Sequence, residues 1–178
     1  LLSSVSSFAS NSDFSASPTP QGPSSGPGQG GSMARFTLVG EYLYCVTDFN
    51  LLPFGVSDES NPTRQTSVNI GWGIETIFPM KDHLFIGSQT GMFIYDLDDP
   101  RRPGYVSEFQ HVRACDPVVV EGDWAYVTLR NGEDNFCNGF TNQLDVVNIE
   151  NLADPFLFQS FSMFNPHGLG IRDNILFI

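Results

Sequence analysis

Basic residues are scarce in this chain of 178: 8 Lys and Arg stand against 20 Asp and Glu, a formal net charge of −12 at pH 7. Phosphate backbones and anionic membrane surfaces would repel such a chain at long range, so nucleic acid is excluded as a partner. No apolar run approaches the roughly 18 residues that span a bilayer as a helix. There are only 3 cysteines, Cys45, Cys115 and Cys137, with no CxxC pair, which argues against a thiolate zinc cluster. Also missing are a GxSxG elbow, a P-loop, HExxH, an EF-hand loop and a dinucleotide-binding glycine pattern, so the reactions those motifs announce have no support.

What is present divides into two regions. Residues 1–31 are rich in Ser, Gly and Pro with few apolar side chains, too few to offset the entropy of ordering them, and read as a disordered leader or tether. From residue 32 to 178 short apolar runs with period-two character alternate with Gly, Asp, Asn and Pro, and no helical period stands out. This second region is expected to be all-β.

Four segments repeat one pattern: FTLVGEYLYCV from Phe36, IFPMKDHLFIG from Ile77, VVVEGDWAYVT from Val118 and LGIRDNILFI from Leu169. Their marker residues Leu43, Leu84, Ala125 and Leu176 are separated by 41, 41 and 51 positions. The dipeptides Gly40-Glu41, Lys81-Asp82, Gly122-Asp123 and Asp173-Asn174 fall in register and suit two-residue hairpin turns. The longer last interval is absorbed by the polar insertion RNGEDNFCNGFTN. Each repeat has a second half, as in GMFIYDLDDPRRPGYVSEF, and four strands in about 41 residues is the size of a β-propeller blade. In DLDDP the clustered Asp96, Asp98 and Asp99 read as turn formers. Trp72, Trp124, Tyr42, Phe85 and Tyr126 read as core and inter-blade packing.

At Gly91, Phe93, Ile94, Tyr95, Asp96, Asp99, Pro100 and Pro103 the sequence resembles the LVIVD repeat, and LDVVNIENLADP matches it with Asn148 at the Asp position. The stretches GQGGSMARF, CDPVVV, AYVTLR and NPHGLGI are similar to a group of bacterial surface LVIVD lipoproteins, chiefly of Bacteroidetes, over about residues 28–178. The resemblance implies a β-propeller of four-stranded blades and export to the periplasm, outer membrane or cell surface, with no established activity. Blade 1 would span about residues 35–69, blade 2 about 74–109 and blade 3 about 115–162, with a fourth starting near 167. This is an incomplete ring of about three blades plus one hairpin, since propellers use about four to eight blades. Pro53 and Gly55 are expected to make the third strand of blade 1 irregular.

Nine residues before each marker stand Ala34, Glu75, Asp116 and His167, which would surround one mouth of the central channel. Carboxylates and an imidazole there could hold a divalent cation or a polar ligand, and Arg35 and Arg113 could instead balance an anionic ligand. The alternative is that these groups only cap strand starts. Arg130 points either to the mouth or into an inter-blade ion pair. His111 and Cys115 are a weaker candidate ligand pair with Asp116. The preferred use of Cys115 is a disulfide to Cys137, closing a loop of about 23 residues and worth roughly 3 kcal/mol in the chain-entropy model. Cys45 is expected to be a buried free thiol.

The functional expectation is a non-enzymatic exported scaffold that binds a protein, glycan or small ligand at its loops or channel mouth, meeting a membrane only through a lipid anchor upstream of Leu1. The alternative is a hydrolase or lyase, or a metal-dependent ligand site, with Glu75, Asp116 and His167 as the working groups. The sequence requires no cofactor; a divalent cation held by Glu75, Asp116 and His167 is the one candidate.

Overall fold

The computed structural model describes residues 34–113, 117–131 and 141–178. All its regular elements are strands, arranged as antiparallel sheets in chain order. The first sheet holds β1 (Phe36–Val39), β2 (Tyr42–Val46) and β3 (Asn50–Gly55), with the short β4 (Thr63–Arg64) and β5 (Val68–Asn69) both along the outer edge of β3. The second is β6 (Ile74–Met80), β7 (His83–Ser88), β8 (Gly91–Asp96) and β9 (Gly104–Gln110). The third is β10 (Val118–Glu121), β11 (Trp124–Leu129), β12 (Gln143–Asn148) and β13 (Phe156–Ser162). A hairpin, β14 (Gly170–Arg172) and β15 (Ile175–Phe177), follows.

The first two strands of every unit are joined by two residues, between the pairs Val39 and Tyr42, Met80 and His83, Glu121 and Trp124, and Arg172 and Ile175. These turns fall at the four dipeptides singled out in the sequence. The first turn residue has positive φ each time, 57° at Gly40, 51° at Lys81, 60° at Gly122 and 52° at Asp173. Lysine is the costly choice there, because its Cβ crowds the backbone in the left-handed region. Lys81→Gly is therefore expected to stabilise by up to about 1 kcal/mol, the strain relieved being partly offset by a freer unfolded chain, and to raise Tm by a few degrees in a thermal melt.

Period-two alternation decides which side chains meet. In the second sheet Ile77, Leu84, Ile86 and Tyr95 pack with Tyr44, Val46 and Leu51 of the first sheet. Their neighbours Phe78, Phe85, Met92 and Ile94 belong to a second cluster with Val118, Val120, Ala125, Val127 and Val147 of the third. The middle sheet is thus covered on both faces, which is why β7 and β8 read as nearly continuous apolar runs. The first strands of successive sheets are neighbours, and Ile77 donates its N–H to the Ala34 carbonyl at 2.9 Å.

The acidic turns have the role read from the sequence. Asp96 and Asp99 accept the N–H groups of Asp98 and Arg101 at 3.2 and 3.1 Å, and Asn148 and Asn151 do the same for Glu150 and Ala153 at 3.1 and 3.2 Å. Each turn also presents a carbonyl to the preceding sheet: Tyr44 donates its hydroxyl to Pro100 at 2.9 Å, and Ser107 donates to Leu152. Burial, with Tyr42 and Asp99 adding to it, pushes the Tyr44 phenol far above the ordinary tyrosine range. The neutral phenol is the form the fold favours, so its contribution is complete below the unfolded pKa of about 10 and is lost as pH rises further. Urea unfolding between pH 8 and 11 should show stability falling above about pH 10. Tyr44→Phe should lose about 1 kcal/mol at neutral pH and make that fall shallower.

Two expectations are corrected. β3 runs unbroken through Pro53 and ends at Gly55, and the irregularity lies in the strand beside it. Within a strand the N–H and C=O of one residue point the same way. The Pro53 carbonyl accepts from Gln65 N at 2.9 Å, so its missing N–H also falls on that side, where pairing is divided between β4 and β5. Cys45 is a free thiol, but it is half-buried rather than buried, because the face of the first sheet it shares with Phe36 is open to solvent. Partial burial still pushes its pKa up.

Candidate functional site

At one end of the sheets the chain enters the first strand of every unit, and the turns between second and third strands lie beside these entries. A cavity of about 700 Å³ opens there. Arg35 lines it from before β1, Glu75 and Thr76 from the start of β6, Pro117 from before β10, and His167 and Gly168 from before β14. Asp48, Phe49, Gln89 and Arg130 come from the ends and turns of the second strands.

Three of the residues picked from the sequence, Arg35, Glu75 and His167, therefore share one cavity. Arg35 makes an ion pair with Asp48, Nη2 to Oδ1 at 2.8 Å, in which both side chains are well exposed. Glu75 is half-buried, and exposed His167 approaches the Asn165 amide through Nε2 at 3.2 Å. Arg113 touches the lining instead: its guanidinium lies 4.8 Å from the Trp72 ring centroid and donates to Gln89 Oε1 at 3.1 Å. Arg130, ambiguous in the sequence, is at the cavity. Asp116, Cys115 and Cys137 lie outside the described residues, and with them the Cys115–Cys137 bridge. Among the described residues no three His, Cys, Asp or Glu side chains are grouped closely enough to hold a metal ion.

Trp72 is the main residue that sequence reasoning misassigned. Instead of packing in the core it is 50% exposed and lines the cavity, with Phe49, 48% exposed, also in the wall. Its placement follows from its neighbours. The Phe49 carbonyl accepts from Ile70 and Gly71 at 3.0 and 3.4 Å, and the Gly73 carbonyl accepts from Gln89 at 3.0 Å, so the Ile70–Gly73 segment is fixed on both sides of Trp72. Gly73 has φ of +72°, where a side chain would be strained and its Cβ would stand 3.2 Å from Gln89. The Gly-Trp-Gly triplet was the available signal: glycine on both sides of a large aromatic suits a presented ring better than a strand-core ring. Trp124, by contrast, is partly buried and stands edge-on to Phe158 at 4.9 Å.

The resulting wall combines two accessible aromatic rings, an ion pair, further charged groups and an amide. Such a mixture can hold a polar ligand by stacking and by directed hydrogen bonds. No known protein family matches the chain, and no curated protein matches it either.

Proposed function

We propose that the chain is a non-enzymatic binding scaffold, a portion of an exported β-propeller of the LVIVD type, whose ligand occupies the cavity at the strand entries. The observation that carries the proposal is convergence. Four successive units contribute to one cavity of about 700 Å³, and the same segments hold a half-exposed tryptophan at its wall. A propeller offers a physical reason for this, since radial blades bring their innermost strands together at an axis. The successive packing of β1, β6, β10 and β14 agrees with such an arrangement. Rigid sheets supporting functional loops suit recognition at low entropic cost.

Glu75 and His167 in the same wall give the hydrolase or lyase reading a specific footing. One experiment separates the two. The purified chain is screened against panels of glycans, peptides and small polar molecules, and each retained compound is recovered and analysed for conversion. Retention without conversion, lost on Trp72→Ala while the thermal melt stays unchanged, is the expected result. Conversion that disappears in both Glu75→Gln and His167→Ala would replace the scaffold reading by an enzymatic one. Retention of nothing across the panels would overturn both.

A further inference from the structure

Each of the large sheets ends on an outer strand, and the sequence treats those edges differently. The outer side of β3 is taken up by β4 and β5. β9 is a continuous edge but carries Glu108, a charge of the kind that discourages a further strand from pairing. β13 has neither safeguard. Its sequence FLFQSFS is uncharged, every residue of it is exposed, and among the described residues no strand pairs with its outer side. No Asp, Glu, Lys or Arg occurs from position 155 to position 171. An apolar, uncharged edge of this kind is a template for another strand.

The ladder to β12 fixes which groups that edge offers. Met163 donates its N–H to the Asn142 carbonyl at 3.0 Å, and Phe161 and Gln159 stand opposite Leu144 and Val146. By the alternation of an antiparallel ladder, Gln159, Phe161 and Met163 direct their backbone groups inward to β12, while Ser160 and Ser162 direct theirs outward. The Ser160 hydroxyl is engaged with Asp145 Oδ1 at 2.6 Å, which leaves its backbone groups at the edge untouched. The register shifts beyond Val146, where Phe158 is the extra residue, so the straight part of the edge is residues 159–163. Two outward serines flanking one inward residue are self-complementary about a two-fold axis through Phe161. Ser160 of one copy then meets Ser162 of the other in a hydrogen-bonded pair on either side of the axis. Between them the two Phe161 residues face each other as a non-hydrogen-bonded pair, the closer kind of cross-strand contact. Phe161 is 46% exposed and open to that contact.

We propose that β13 joins two copies of this chain edge to edge, antiparallel and centred on Phe161, so that two four-stranded sheets run on as one. Charge singles out a second copy as the occupant. Molecules of net charge −12 repel one another, and they can meet where the contact sets no carboxylates face to face, as it does along this uncharged stretch. A strongly basic or acidic foreign strand would find nothing opposite its charges there. None of the residues lining the cavity lies on β13, so the proposal stands apart from the ligand reading.

Sedimentation equilibrium on the whole chain tests it, at concentrations up to about 200 μM because an interface of one strand pair is small. The unaltered chain should form dimers, and more of them as salt screens the repulsion between two acidic molecules. Phe161→Lys and Phe161→Glu should each weaken association about tenfold or more, since each sets like charges directly opposite across the axis. An equimolar mixture of the two should restore it, because a residue that faces its own copy turns two repulsive variants into an attractive couple. Ser160→Pro is the second variant if these do not fold: it removes an outward N–H, spares the ladder to β12, and should abolish dimers with the thermal melt unchanged. A monomer at every concentration would overturn the proposal, as would dimers that persist in Ser160→Pro. A monomeric mixture of the lysine and glutamate variants, beside a dimeric unaltered chain, would overturn the register about Phe161. Capture of an added alternating Val-Thr peptide by a chain that stays monomeric would assign the edge to another protein's strand and overturn self-pairing.

Discussion

Phe85→Ala should destabilise the protein by about 3–5 kcal/mol, lowering Tm by roughly 10 °C in a chain of this size. Phe85 has no exposed surface and stands opposite Phe78 and Ile94 within its sheet. It belongs to the cluster that joins the second and third sheets, so truncation leaves a hole between two rigid surfaces that cannot both move inward. Phe158→Ala is the control. That ring is 60% exposed on β13 and keeps mainly the edge contact with Trp124, so its loss should cost less than about 1 kcal/mol. A calorimetric melt of both variants reads the comparison directly. Equal effects would mean that inter-sheet packing contributes no more than a surface ring does.

The same alternation explains what could be read from the sequence. The all-β class and the four hairpin dipeptides were legible because period-two runs and turn residues are local signals, confined to a few adjacent positions. Asp96 and Asp99 were legible as turn formers for the same reason, since each bonds a residue only two positions away. Inter-sheet facts were less accessible. Nothing near Tyr44 announces a bond to a carbonyl 56 residues later. The effect of Pro53 was misplaced because its consequence depends on which side its absent N–H faces, and register determines that. In the candidate site, Glu75 and His167 were found by repeat position, and Arg35 as the neighbour of the equivalent Ala34, which works when equivalent residues serve equivalent places. Trp72 escaped because it sits in a connection between sheets, outside the repeated pattern, and its exposure depends on contacts to Phe49 and Gln89 that lie far away in sequence.

Gly73→Ala should cost about 2–3 kcal/mol and abolish ligand retention, whereas Gly40→Ala should cost only about 1 kcal/mol and leave retention intact. Both glycines hold left-handed backbone, with φ of +72° and +57°, so an alanine bears a similar conformational strain at either position. Their surroundings differ. A Cβ at Gly40 meets nothing within 4 Å, while one at Gly73 stands 3.2 Å from both Cβ and Cγ of Gln89 and 3.3 Å from Cδ. Gln89 cannot yield freely, because its N–H is bonded to Gly73 and its amide oxygen accepts from Arg113. Displacing it would release Arg113 from its place over Trp72 and move the indole from the cavity wall. The excess cost of Gly73→Ala over Gly40→Ala in urea unfolding therefore measures the packing of that segment. Loss of retention in only one of the two variants would tie binding to the position of Trp72 rather than to general stability; identical behaviour of the two would mean that the segment gives way without consequence and that Trp72 does not depend on it.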